Sequence, residues 1–120
     1  MPFDVNANLE EAYVHLVYTG DVDLGERMQA RDRVFEVRKE HDLARSLVET
    51  QDSNMNLSTQ DIIQFSKTFP DDLPSNYHVA VVVSPNDDVD ILLENLASSA
   101  GLTIRAFKDR QMALRWLLAF

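Results

Sequence analysis

Val79-Ala80-Val81-Val82-Val83 is an unbroken apolar run, and all but one of its residues are β-branched. A strand with one wet face alternates apolar and polar residues. A run that is apolar at every position suits a strand covered on both faces, as in a parallel sheet. Parallel strands need crossover connections, usually helices, and the flanking sequence supplies them. Downstream, a helix starts near Asp87, packs Val89, Leu92, Leu93 and Leu96, and stops at Gly101, a natural left-handed cap. Residues 102–107 form the last strand. Asp109 caps a final helix carrying Met112, Leu114, Trp116, Leu117 and Phe120.

Upstream, Ser58 and Asp61 make a capping box, and Leu57 and Ile62 are placed as a hydrophobic staple. The helix they start carries Phe65 and Phe69 and ends before Pro70. Before it lie a core strand over residues 45–49 and a polar loop over residues 50–56. Asp23 and Glu26 make another capping box. They open a helix that runs to about His41 and buries Leu24, Met28, Val34, Phe35 and Val37. Residues 13–19 are rich in β-formers and end at Gly20. Phe3-Asp4-Val5 predicts a short first strand, and Asn6-Ala7-Asn8 a turn that makes the leading pair antiparallel. The pattern predicts one α/β domain over residues 1–120. It has a mixed, mostly parallel five-stranded sheet, an antiparallel N-terminal hairpin strand and about four packed helices.

At 120 residues, 45% of them hydrophobic and 26% charged, the chain can bury a core without staples. It has no cysteine, which excludes disulfides and thiolate metal sites. Residues 1–8 have neither a basic start nor an apolar run, and no stretch approaches the ~20 apolar residues of a membrane span. These features predict a cytoplasmic protein. The net charge of −9 argues against nucleic acid as a partner. Residues 1–26 hold six acids and no base, and the bases gather at residues 27–45 and 105–115.

In a parallel sheet the strand-to-helix loops emerge at one edge, where ligands usually bind. That edge collects Asp21, Asp23, Glu49, Asp52, Asp87 and Asp88. Acids at helix starts are explained first as caps. Together they also suit a divalent cation, a basic partner or a phosphoacceptor, with Lys108 as the lysine that receiver domains place after their last strand. Glu49, however, stands where the acceptor aspartate would be wanted. The three glycines form no phosphate-binding loop, and His15, His41 and His78 match no zinc spacing. No nucleophile–base pair is visible, so the chain reads as a non-enzyme without cofactor or metal.

Several pieces, taken in order, carry a family resemblance. They are Tyr18-Thr19-Gly20-Asp21-Val22 with Glu26-Arg27, then Leu47-Val48, then Leu57-Ser58-Thr59-Gln60-Asp61-Ile62. Val79-Ala80-Val81-Val82-Val83, Ile104-Arg105-Ala106-Phe107-Lys108-Asp109 and Ala113-Leu114-Arg115-Trp116-Leu117 complete the set. The chain resembles the SpoIIAA-like branch of STAS domains, similar in fold to CRAL-TRIO lipid carriers. The resemblance implies a bacterial regulatory module that binds another protein. It also implies phosphorylation of a serine at the helix start held here by Ser58, although Leu57-Ser58-Thr59-Gln60 lacks the family's Asp-Ser-Ser-Gly turn. The candidate interaction or phosphorylation residues are Ser53, Ser58, Thr59, Gln60 and Gln64. The aromatic tail over residues 116–120 adds a possible homodimer contact. The alternative implied by the fold is a small apolar-ligand or lipid carrier, which needs a pocket of at least ~300 Å³.

Overall fold

The computed structural model describes residues 2–70, 72–85, 93–95 and 102–120. The elements run β1 (Phe3–Asn8), β2 (Tyr13–Val22), α1 (Leu24–His41), β3 (Arg45–Met55), α2 (Thr59–Ser66), β4 (His78–Val82), β5 (Thr103–Phe107) and α3 (Arg110–Leu117). Residues 93–95 are helical and belong to the helix expected between Asp87 and Gly101. The other residues of the stretch where that helix is expected lie outside the described residues. The strands make one five-stranded sheet in the order β1-β2-β3-β4-β5. The β1–β2 pair is antiparallel and the other three pairs are parallel.

β4 is the middle of both cores. Its Val81 joins Val14, Leu16, Val48 and Ile104 on the face covered by α1 and α2. Its Ala80 and Val82 join Tyr13, Leu47, Ala113 and Leu117 on the face covered by α3. Burial on both sides is the physical reason the run carries no polar residue.

Three local expectations are corrected. First, Asn6, Ala7 and Asn8 are not a turn, because they pair with His15, Val14 and Tyr13 in β1. Cross-strand pairing overrides the turn preference of asparagine here. The turn follows at residues 9–12, where Asn8 Oδ1 accepts from the Glu11 N–H at 3.0 Å and Ala12 takes φ 61°. Second, Gly20 does not end β2. It sits inside the strand at φ 69°, a left-handed conformation that glycine adopts without strain. Third, residues 50–55 are not a loop. They continue β3 and pair with the end of β2, Thr19 opposite Asp52 and Val22 opposite Met55.

One extra residue on β3 between Glu49 and Asp52 makes a bulge opposite Val17 and Thr19. β4 pairs with β3 only as far as Glu49, so beyond the bulge β2 and β3 run on as a two-stranded ribbon. Gln51, Asp52 and Asn54 are exposed there, which is why the stretch reads as a loop.

On α1, Val34 and Val37 are buried as expected, whereas Leu24, Met28 and Phe35 are half-buried. Two arginines complete the buried side. Arg27 is 3% exposed, its guanidinium 5.6 Å from the Tyr18 ring centre and 5.2 Å from that of Phe65. Arg38 donates from Nε to the Leu43 carbonyl at 2.8 Å. Flat guanidinium groups stack on rings and bury their stems, which the charge of the residue conceals in a sequence.

Candidate functional site

α2 begins as its sequence requires. The Ser58 hydroxyl accepts from the Asp61 N–H at 3.1 Å, and the Asp61 carboxylate accepts from the Ser58 N–H at 3.0 Å. Ile62 and Phe65 point into the core. That orientation leaves Ser58, Thr59, Gln60 and Gln64 exposed. Ser58 holds the cap, so Ser58→Ala is expected to cost about 1 kcal/mol and Ser58→Asp much less, since aspartate also caps. Thermal melts of the three proteins check this, and equal midpoints would show that the cap is not holding the helix start. Ser53 lies away from this helix start, on the ribbon. It is half-buried, and its hydroxyl donates to the Thr50 carbonyl at 2.7 Å.

The expected acidic edge is dispersed. Asp23 is the N-cap of α1, accepting from the Glu26 N–H at 2.8 Å, and Glu26 returns the bond at 3.0 Å. Asp21 accepts from the Asn54 amide at 3.2 Å across the ribbon. Asp52 is exposed on the bulge. Asp87 and Asp88 lie outside the described residues. Among the described residues no three His, Cys, Asp or Glu side chains come close enough together to hold a metal ion.

Glu49 faces the other way. It lies within β3, on the α3 side of the sheet, and its carboxylate is bonded to His15 Nε2. The same group accepts from Gln51 Nε2 at 2.9 Å and pairs with Arg110 Nε at 3.2 Å. Burial raises the Glu49 pKa. The hydrogen bonds from Gln51 and His15 and the charges of His15 and Arg110 outweigh it, leaving the carboxyl below its usual range. With three donors on one carboxylate, the cluster ties β2, β3 and α3 together. Sequence reasoning placed Glu49 at the strand end and missed this cluster. The missing information was register: His15 stands opposite Leu47, two residues before Glu49, on the same side of the sheet.

Between the sheet and α1–α2 lies an apolar cavity of about 50 Å³, lined by Leu16, Tyr18, Val34, Phe65 and Ile104 among others. That is room for roughly one or two water molecules. It is far below the ~300 Å³ expected of a ligand pocket.

The C-terminal end forms an aromatic patch. The Phe120 ring stacks on His78 with centres 3.8 Å apart, and Trp116 lies 5.1 Å from Phe120 and 5.6 Å from Phe107. Arg45 fastens this end to the β1–β2 turn. It donates to the Glu11 carbonyl at 2.9 Å, to Ala12 at 3.3 Å, and to Leu117 and Phe120 at 3.4 and 3.3 Å. No helix among the described residues is long and apolar enough to cross a membrane.

No protein-family model matches the chain, and no curated protein matches it. A solved structure does. It is the crystal structure of an uncharacterised protein of the DUF3478 family from Shewanella loihica PV-4, described as having a SpoIIAA-like fold. The two chains share 15% identity at a TM-score of 0.56, over 96% of this chain and 91% of the other. At that identity the likeness is one of fold, and the fold of this protein is SpoIIAA-like.

Proposed function

We propose that the protein is a non-enzymatic interaction module of the STAS type, and that its contact face is the outer side of α2 together with the β2–β3 ribbon. One observation carries the reading. α2 turns Ile62 and Phe65 inward and presents uncharged polar groups, Ser58, Thr59, Gln60 and Gln64, on a helix held by a capping box. Interface centres are depleted of charge, because a charged group is costly to desolvate. On a protein of net charge −9, the uncharged patch of Ser58, Thr59, Gln60 and Gln64 is a natural contact surface. The ribbon borders it with the exposed polar residues Asp21, Asp52 and Asn54. The SpoIIAA-like fold supports the same reading, since the family it resembles works by binding proteins.

The test is the double variant Gln60→Arg/Gln64→Arg. Both positions are exposed, so the melting midpoint should stay within about 0.5 kcal/mol equivalent of the parent. Partners captured from the host lysate by the parent protein should be depleted at least tenfold on the variant. Capture at parental levels would move the contact face elsewhere on the molecule.

A further inference from the structure

β5 ends the sheet order, and a groove lies beside it. The groove measures about 590 Å³ and is lined by Leu102, Thr103 and Arg105, by Glu94, and by the rings of Trp116 and Phe120. Backbone groups along a strand alternate in direction. The Phe107 carbonyl points inward and accepts from the Val83 N–H at 2.8 Å. Ala106, one residue away, points outward, and its N–H donates to the Glu94 carboxylate at 2.8 Å. A side chain therefore fills the place that the carbonyl of a sixth strand would take.

Charge selects the occupant. Arg105 lines the groove, and Lys108 and Arg115 are exposed beyond β5 and on α3, while Arg110 is paired with Glu49. The one acid among them, Asp109, is committed to capping α3 through the Gln111 N–H at 2.8 Å. The Arg105 guanidinium lies 5.5 Å from the centre of the Phe107 ring, along the aromatic wall. A second copy of the chain paired antiparallel about Arg105, the middle residue of β5, would set Arg105 against Arg105, a destabilising like-charge pair. An acidic strand meets opposite charge instead.

We propose that the β5 edge takes an extended acidic segment of another protein as a sixth strand, with Glu94 as the internal competitor that such a segment displaces. This surface shares no residue with the α2 face, so the two readings stand or fall separately.

The probe is the peptide acetyl-Glu-Val-Glu-Val-Glu-Val-amide, with its Lys-Val counterpart as control. Trp116 is the chain's single tryptophan and stands in the groove wall, so its emission reports occupancy. The acidic peptide should shift that emission saturably, and the Lys-Val peptide should not. Glu94→Ala removes the competitor, at the scale of one hydrogen bond, and should tighten binding about fivefold. Arg105→Glu, at an exposed position, should weaken it at least tenfold while the far-ultraviolet spectrum stays unchanged. No emission change up to millimolar peptide in both the parent and Glu94→Ala would overturn the proposal, as would equal binding by Arg105→Glu. Dimerisation of Glu94→Ala without peptide would also overturn it, by showing that a second copy takes the edge.

Discussion

Leu117→Ala is expected to remove about 2–5 kcal/mol of stability, the range measured for leucine truncation in packed cores. Leu117 is 0% exposed and packs with Tyr13, Leu47, Ala80 and Val82. Only Ala113 accompanies it as a fully buried residue of α3. α3 has eight residues, and isolated helices shorter than ~12–15 residues are marginal in water. Its helical state therefore rests on this docking, on the Asp109 cap and on the Arg45 bonds to its last carbonyls. Truncating Leu117 should free the helix before the sheet melts. Urea denaturation followed by Trp116 emission should then show an earlier transition than the backbone signal does. Met112 lies on the same helix but is 57% exposed, and Met112→Ala should stay within about 0.5 kcal/mol of the parent. If both variants lose the same stability, α3 is not held through Leu117.

The contrast between Leu117 and Met112 shows what the sequence could settle. The tail holds more apolar residues than one helix face can bury, so some had to remain exposed. Choosing which ones required the sheet beneath. The strand over residues 79–83 was legible because its apolar run needs cover on both sides, and both covers exist. The capping boxes of α1 and α2 were legible because their bonds are local, between residues three apart. The ribbon was not legible. Its strand character comes from pairing between residues 19–22 and 52–55, while its polar surface is that of a loop. Arg27 and Arg38 were hidden for a related reason, since their burial depends on rings and carbonyls brought near by the fold. Of the candidate site residues, those on α2 stand together, and the described residues of the acidic edge do not form a cluster of three. Asp23 serves as the cap of α1, Asp21 bonds Asn54 across the ribbon, and Glu49 belongs to the opposite face.

Tyr77 carries a second large effect, and it depends on pH. The residue is 1% exposed, and its hydroxyl is bonded to the Ser46 hydroxyl. Burial pushes the phenol up to about 12, while the Ser46 hydrogen bond and the Arg38 charge act the other way. An unfolded tyrosine ionises near pH 10. Between about pH 10 and 12 the unfolded chain therefore sheds a proton that the native chain keeps, and stability falls as pH rises. The contribution is fully present below pH 10, and about 2 kcal/mol of it is lost by pH 12. Tyr77→Phe removes this titration. At pH 8 the variant should be less stable by about 1–2 kcal/mol, because Ser46, itself 1% exposed, loses its partner. Other groups titrate equally in both proteins, so the difference between them isolates Tyr77. Urea denaturation from pH 8 to 12 should show that difference shrinking and then changing sign, with the phenylalanine variant the more stable at the alkaline end. A difference that stays constant with pH would mean that the phenol ionises at its ordinary value, and that the pocket formed by Ser46, Phe35 and Arg38 around Tyr77 admits water.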